Sequence, residues 1–209
     1  MARTVGPLMS LEASGQVAKT IVFSKWKGRP YVRQLVTPSN PNSVLQVSTR
    51  AMMKFLSQRW GIDLAPGDQS SWATLAKAAN VSPFNEYVRD GLKRWTQFTG
   101  PSWASPATGG GVDSTYTSLP AATGGVGQIS LAWTINALQD GWGLLIFGKL
   151  GVAPTTGRDT LVAVAHLAAG AGSAVLPGLL LGTWHYNFKT LSKEGKLSAD
   201  LGATSGVVT

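Results

Sequence analysis

The spacing of hydrophobic residues changes along this 209-residue chain, and the change limits the folds open to it. Between residues 44 and 98, apolar side chains recur every three or four positions, which is typical of amphipathic helices. After residue 127, they alternate with polar or small residues, which is typical of strands. The segment between, 100–127, is rich in Pro, Gly, Ser and Thr and is the expected linker. The sequence therefore predicts an α+β fold with domains at 1–106 and 107–209.

Three helices are predicted in the first domain. The first covers 44–60, after a Pro/Asn/Ser loop, and stops at Gly61. The second is capped by Ser70 or Ser71 and ends near Asn80, and the third opens at Pro83. The side chains expected in the three buried stripes are Leu45, Thr49, Met52, Leu56 and Trp60; Trp72, Leu75 and Ala79; and Phe84, Tyr87, Val88, Leu92, Trp95 and Phe98.

A β-hairpin is predicted over 20–36, ahead of the helices. Two runs rich in β-branched and aromatic residues flank the turn sequence Lys-Gly-Arg-Pro at 27–30. Within nine residues the hairpin gathers the candidate partner-binding side chains Lys25, Trp26, Lys27, Arg29, Tyr31 and Arg33. These could bind nucleic acid by stacking on bases and neutralising phosphates. The favoured interpretation is that Trp26 and Tyr31 form a cross-strand pair covering the helices, with the cations on the outer face.

The second domain is predicted to be a β-sandwich. Its strands are expected around Ile129, Leu131 and Trp133 and at 142–150, 161–167 and 184–191. Gly-rich and Pro-Gly segments separate them, as in a sandwich built from several short strands.

The excess positive charge of the chain lies in its first half. Residues 1–106 carry 13 Lys and Arg against 5 Asp and Glu, whereas residues 107–209 carry 5 of each kind. This asymmetry predicts that the first domain meets an acidic partner, either nucleic acid or a negatively charged protein surface. A solvated basic surface is the alternative. The chain has no cysteine, which excludes disulfides, thiolate metal sites and Cys nucleophiles.

The sequence motifs that would indicate enzymatic activity or ligand binding are incomplete. Residues 143–149 have the spacing of a phosphate-binding loop, but Leu150 stands where that loop needs a hydroxyl. The two histidines, His166 and His185, form no zinc-spaced cluster, and no Gly-x-Ser-x-Gly pattern occurs. The uncharged segment 160–184 is long enough to cross a bilayer, yet its Gly and Pro residues favour two strands. We predict no enzyme, no cofactor, no metal and no membrane partner.

Two resemblances add to these predictions. Ser24, Trp26, Lys27, Gly28, Arg29, Tyr31 and Arg33 follow the pattern Ser-x-Trp-Lys-Gly-Arg-x-Tyr-x-Arg. With this pattern, the first hundred residues resemble a family of uncharacterised N-terminal domains encoded in phages and prophages. Segments 129–134 and 182–188 resemble those of fibronectin type III domains, which implies a sandwich with Trp133 in its core. That likeness puts His185 where the family has an inward Tyr, whereas alternation favours Trp184, Tyr186 and Phe188 inside.

Together these observations suggest a structural component of a tailed-phage virion: a capsid decoration, head-to-tail joining or tail-associated subunit. It is expected in the virion, in multiple copies, docked on other capsid, neck or tail proteins. The basic domain would anchor it, and the neutral sandwich would project. The first alternative is a nucleic-acid-binding module that uses the hairpin. A carbohydrate-binding adhesion module is a further alternative, from fold analogy alone.

Overall fold

The computed structural model describes residues 15–17, 20–27, 29–36, 42–106, 115–137 and 141–209. Contacts between residues divide the chain into two compact units, Met1–Pro41 and Asn42–Thr209. The described part of the first unit is a three-stranded antiparallel sheet in the order β1-β2-β3. Its strands are β1 (Gly15–Val17), β2 (Ile21–Trp26) and β3 (Arg29–Gln34). The predicted hairpin is confirmed as β2 and β3.

The second unit begins with four helices, which are α1 (Val44–Trp60), α2 (Pro66–Ser71), α3 (Ala73–Ala79) and α4 (Pro83–Thr96). The first and last match the predicted helices. The prediction missed α2, which lies between the first and second predicted helices. Pro66 occupies its first turn, where the missing N–H costs nothing, and the Asp68 side chain accepts a hydrogen bond from the Ala65 N–H at 3.3 Å. Ser71 therefore ends α2, and neither Ser70 nor Ser71 caps the second predicted helix.

The buried stripe of α1 differs from the predicted one. Met52 and Leu56 are buried as expected, but Leu45 and Thr49 are exposed. Ser48 is buried instead, because its hydroxyl accepts a hydrogen bond from the Trp95 indole N–H at 2.9 Å. Trp72, just before α3, and Ala76 within it are buried, while Leu75 is 43% exposed.

Seven strands follow, with bounds β4 (Thr115–Gly125), β5 (Gln128–Ala137), β6 (Gly141–Leu150), β7 (Leu161–His166), β8 (Gly170–Pro177), β9 (Gly182–Ser192) and β10 (Ala203–Val208). They form two antiparallel sheets, in the orders β4-β5-β8 and β10-β9-β6-β7. Inward side chains of both sheets share one core, which holds Ile129, Leu131, Trp133, Leu144, Ile146, Tyr186 and Phe188. The two sheets therefore form a sandwich. The alternation of side chains correctly predicted that Tyr186 and Phe188 point inward. Trp184 is half-buried and packs against the same core.

The strand β6 is buried on both faces. Leu144 and Ile146 point into the sandwich core, whereas Leu145 and Phe147 belong to a second core shared with the helices. In that second core the Phe55 ring of α1 lies 4.8 Å from the Trp142 ring, centroid to centroid. The second unit therefore has three layers: helices, the four-stranded sheet and the three-stranded sheet.

The two units divide at residue 41 and not at the predicted boundary after residue 106. The segment 100–106 is packed against the turn that follows β9. The Gly100 N–H donates to the Gly195 carbonyl at 3.1 Å, and the Trp103 N–H donates to the Lys193 carbonyl at 2.8 Å. A Cβ at Gly100 would overlap the Leu191 side chain and the Gly195 carbonyl. This segment therefore belongs to the body that joins helices to sheets.

An ionic cluster also joins the helical layer to the sheet. The Asp63 carboxylate, just beyond α1, lies 3.3 Å from Arg59 Nη1 and 3.2 Å from His166 Nε2 at the end of β7. Asp63 and Arg59 are largely buried. Burial lowers the pKa of His166; the Asp63 carboxylate opposes this, and the Arg59 guanidinium adds to it. His166 is consequently held toward its neutral form.

Replacing Leu145 with Ala tests the shared core. Leu145 is fully buried on the helical side of β6, so L145A should lower the free energy of unfolding by about 2–5 kcal/mol. Thermal unfolding followed by far-UV circular dichroism and by tryptophan fluorescence should give coincident, lowered transitions. The control L75A, on the exposed face of α3, should shift them little. Separate helix and strand transitions would contradict a common core.

Acidification should destabilise the protein through His166. Because the pKa of His166 is lowered in the folded state, the unfolded state takes up the proton first as pH falls below the ordinary value of about 6.5. The free energy of unfolding should therefore fall between roughly pH 7 and pH 5, and H166N should flatten that dependence. Urea unfolding at each pH measures it, with H185N as the matched histidine control. A rise in stability on acidification would mean that Asp63 outweighs burial.

Candidate functional site

The hairpin gathers the cations and aromatic rings that the sequence singled out. Trp26 pairs with Arg29 across the strands, so a loop of two residues connects β2 to β3. Lys27 enters this loop with φ at 47°, the left-handed conformation that such loops require. The predicted four-residue turn is therefore too long, and Arg29 and Pro30 belong to β3.

Strand pairing sorts the candidate residues onto two faces. Side chains that lie opposite each other in an antiparallel pair point to the same side of the sheet. The pairs Trp26–Arg29, Ser24–Tyr31 and Val22–Arg33 therefore share one side. We call Trp26, Arg29, Tyr31 and Arg33 the cationic–aromatic face.

The opposite side of the hairpin is mainly apolar. It carries the pairs Phe23–Val32, Ile21–Gln34 and Lys25–Pro30. Phe23 is buried, whereas Lys25 is exposed at the loop end. Lys25 is thus the candidate that the fold separates from the cationic–aromatic face, and Lys27 lies in the loop between the two.

Trp26 and Tyr31 are not the directly opposed pair that we predicted. Tyr31 faces Ser24, so the two rings are diagonal neighbours on the same face. Trp26 is 66% exposed, an unusual position for a large aromatic side chain, and Lys27 Nζ lies 5.0 Å from its ring centroid. Its ring is open to a partner.

The charge of the hairpin has one sign. Residues 1–41 contain six Lys and Arg against one Glu, and the described segments 15–17, 20–27 and 29–36 contain no Asp or Glu. Arg29 and Arg33 are exposed on the cationic–aromatic face. Guanidinium groups bind carboxylates and phosphates through paired hydrogen bonds, and they stack on planar groups. The face is chemically suited to an anionic partner.

The other candidate motifs lie in regular strands. Residues 143–149 belong to β6, whose residues pair with both β7 and β9, so they form no phosphate-binding loop. His185 lies in β9, opposite Lys149 and Ser205. Among the described residues, no group of three or more His, Asp or Glu is placed to hold a metal ion. The cluster of Arg59, Asp63 and His166 was not predicted, because its members are 107 positions apart at the extremes and share no motif.

The uncharged segment 160–184 forms β7, β8 and the start of β9. No described helix has the length and hydropathy needed to span a membrane.

Comparisons with solved structures found weak structural neighbours, which include the following two. A β-1,2-glucanase from Parabacteroides distasonis matches 47% of this chain and 13% of its own length, with 15% identity and a TM-score of 0.34. Fibronectin(III)-like modules of CbhA from Clostridium thermocellum match 46% of this chain and 96% of their own length, with 11% identity and a TM-score of 0.29. The chain thus spans about an eighth of the glucanase. No family model matches the chain, and no curated protein does.

Proposed function

We propose that this chain is a structural component of a tailed-phage virion that acts by docking on other virion proteins. The observation that carries the docking role is the cationic–aromatic face, which exposes Trp26 beside two arginines without an acidic residue in the described hairpin. Interfaces are commonly anchored by exposed Trp, Tyr and Arg side chains. The virion context comes from the likeness of the motif at 24–33 to phage and prophage domains.

The second unit is proposed to be the body that the docking hairpin anchors to the particle. Its seven strands in two sheets agree with a fibronectin type III-like sandwich, the finer assignment that we propose for it. The helices cover one outer face of this sandwich and share its central sheet.

Charge removal on the cationic–aromatic face tests the anchoring role in the full chain. In R29Q/R33Q, two guanidinium groups lose their charge while the strands keep their backbone, so incorporation into particles that lack the native chain should fall at least tenfold. Quantitative mass spectrometry of purified particles measures it. The control K54Q/K77Q removes the same charge from exposed helical lysines and should be incorporated normally. Normal incorporation of R29Q/R33Q, or absence of the polypeptide from native particles, would contradict the proposal.

Nucleic-acid binding is the second candidate, favoured by the exposure of the Trp26 ring on the same face as Arg29 and Arg33. Such binding would weaken steeply with salt, because each neutralised phosphate releases counterions. It would also weaken in W26A, because stacking on a base is worth about 1–3 kcal/mol. Titration with labelled single-stranded oligonucleotides at low and moderate salt tests both effects. Absence of binding at low salt would remove this candidate.

A further inference from the structure

The open edge of the hairpin sheet offers backbone groups to a partner. In the order β1-β2-β3, β3 is an edge strand among the described residues. The Leu35 N–H donates to the Thr20 carbonyl at 2.7 Å, so the backbone of Leu35 faces β2. Backbone groups alternate in direction along a strand, and those of Gln34, Val32 and Pro30 therefore face away from β2.

Pro30 limits how far this edge can pair. Proline has no N–H, and in sheets it is confined to edges where its nitrogen faces outward. Pro30 occupies such a position. The amides that remain to donate outward within β3 are those of Val32 and Gln34, so a partner strand would pair along the second half of β3.

The side chains beside this edge specify the chemistry of the partner. On one side of the sheet, an added strand would lie next to Tyr31 and Arg33, with Arg29 just beyond the paired stretch. On the other side, it would lie next to Val32, whose face also carries the buried Phe23. An added strand alternates in the same way, so its residues should be acidic on the first side and apolar on the second.

A second copy of the hairpin does not meet this requirement. Two β3 edges paired with each other would bring arginines on the same side of the sheet close together, and like charges on neighbouring strands are destabilising. A nucleic acid would use the cationic–aromatic face but has no backbone amides and carbonyls to pair with the edge. The occupant that uses both features is an acidic polypeptide strand.

We infer that the hairpin captures an extended, alternating acidic and apolar segment of a partner protein, which adds as a strand to β3. This inference rests on the proposed docking function and names the partner that it uses. Main-chain hydrogen bonds would supply affinity, and the arginines would select the acidic side chains. The residues that act are the outward amides of Val32 and Gln34 together with Arg29 and Arg33.

Amide exchange in the full chain tests strand addition directly. The probe is a synthetic peptide of four Val-Glu repeats, with four Val-Lys repeats as the charge control and an oligothymidylate as the nucleic-acid control. The acidic peptide should slow hydrogen exchange at the Val32 and Gln34 amides, and the basic peptide should not bind. Exchange at those amides unchanged by the acidic peptide, or no binding up to roughly 1 mM, overturns the inference. Tighter binding of the oligothymidylate overturns it too.

A backbone variant separates strand addition from charge attraction. Q34P removes one outward N–H, whereas the matched control Q34A shortens the same side chain and keeps the N–H. Q34P loses one backbone hydrogen bond and disturbs the pairing beside it, so peptide binding should weaken about tenfold. In Q34A, which keeps the N–H, peptide binding should change little. Exchange at the β2 amides reports whether the hairpin stays intact in Q34P. Equal binding by an intact Q34P and Q34A would overturn the inference.

Incorporation of the same variants into particles distinguishes a failure of strand addition from a failure of the docking function. If R29Q/R33Q fails to incorporate while an intact Q34P incorporates normally, docking holds and strand addition is wrong. If both variants incorporate normally, the proposed docking function fails.

Discussion

The strand β6 has apolar side chains on both faces, and the arrangement of the whole second unit depends on this. A strand buried on one face needs one partner layer, whereas Leu144 and Ile146 on one face and Leu145 and Phe147 on the other require two. The three-stranded sheet covers one face and the helices cover the other. Gly143 permits close approach on the helical side, because a Cβ there would press on the Phe55 ring and on Leu191. The helices are thus part of the body that contains the sandwich.

Buried indoles hold this helical layer in place as well as filling it. The Trp142 N–H donates to the Ser192 carbonyl at 2.8 Å, and the Trp72 N–H donates to the Trp103 carbonyl at 2.8 Å. A buried tryptophan contributes a large apolar surface and also needs a partner for its one polar group. The Trp72 bond ties the helices to the segment 100–106, whereas the Trp142 bond joins neighbouring strands of the four-stranded sheet. Within the sandwich, Gly172 sits opposite Trp133, and a Cβ there would overlap the indole.

Much of the second unit could be predicted from hydrophobic spacing, but the division into domains could not. The residues Trp142 to Phe147 give a nearly unbroken apolar run, which is the sequence signal for a strand buried on both faces. We did not predict a third layer from that run, which does not say which segment would supply it. The Pro/Gly/Ser-rich composition of 100–127 suggested a linker instead. Its first residues, 100–106, are packed because their backbone pairs with the turn after β9, a long-range contact that composition does not carry.

The hairpin shows why the grouping of two side chains on one face is easier to predict than their direct pairing across the strands. The predicted four-residue turn would pair Trp26 with Tyr31, whereas the two-residue loop pairs Trp26 with Arg29. This shift is two residues, and because side chains alternate with period two it keeps Trp26 and Tyr31 on one face. The grouping of Trp26 with Tyr31 therefore held, while their direct opposition did not. The predicted outer placement of the cations is wrong for Arg29 and Arg33, which lie on the same face as the two rings. The exposure of Trp26 depends on what packs over the hairpin, and no local pattern specifies that.

The hairpin unit is small, and this is the reason why an added partner strand would increase its stability. Residues 1–41 fall in the size range where one hydrophobic core rarely suffices, and Phe23 is the buried large apolar side chain in the described part. A sheet of this kind gains stability when another strand extends it, because each added strand pairs edge amides and covers more apolar surface. The second unit has its stability from two cores of its own and needs no such addition. A partner strand would therefore stabilise the hairpin more than the body, which would keep the same fold in the free and the assembled protein.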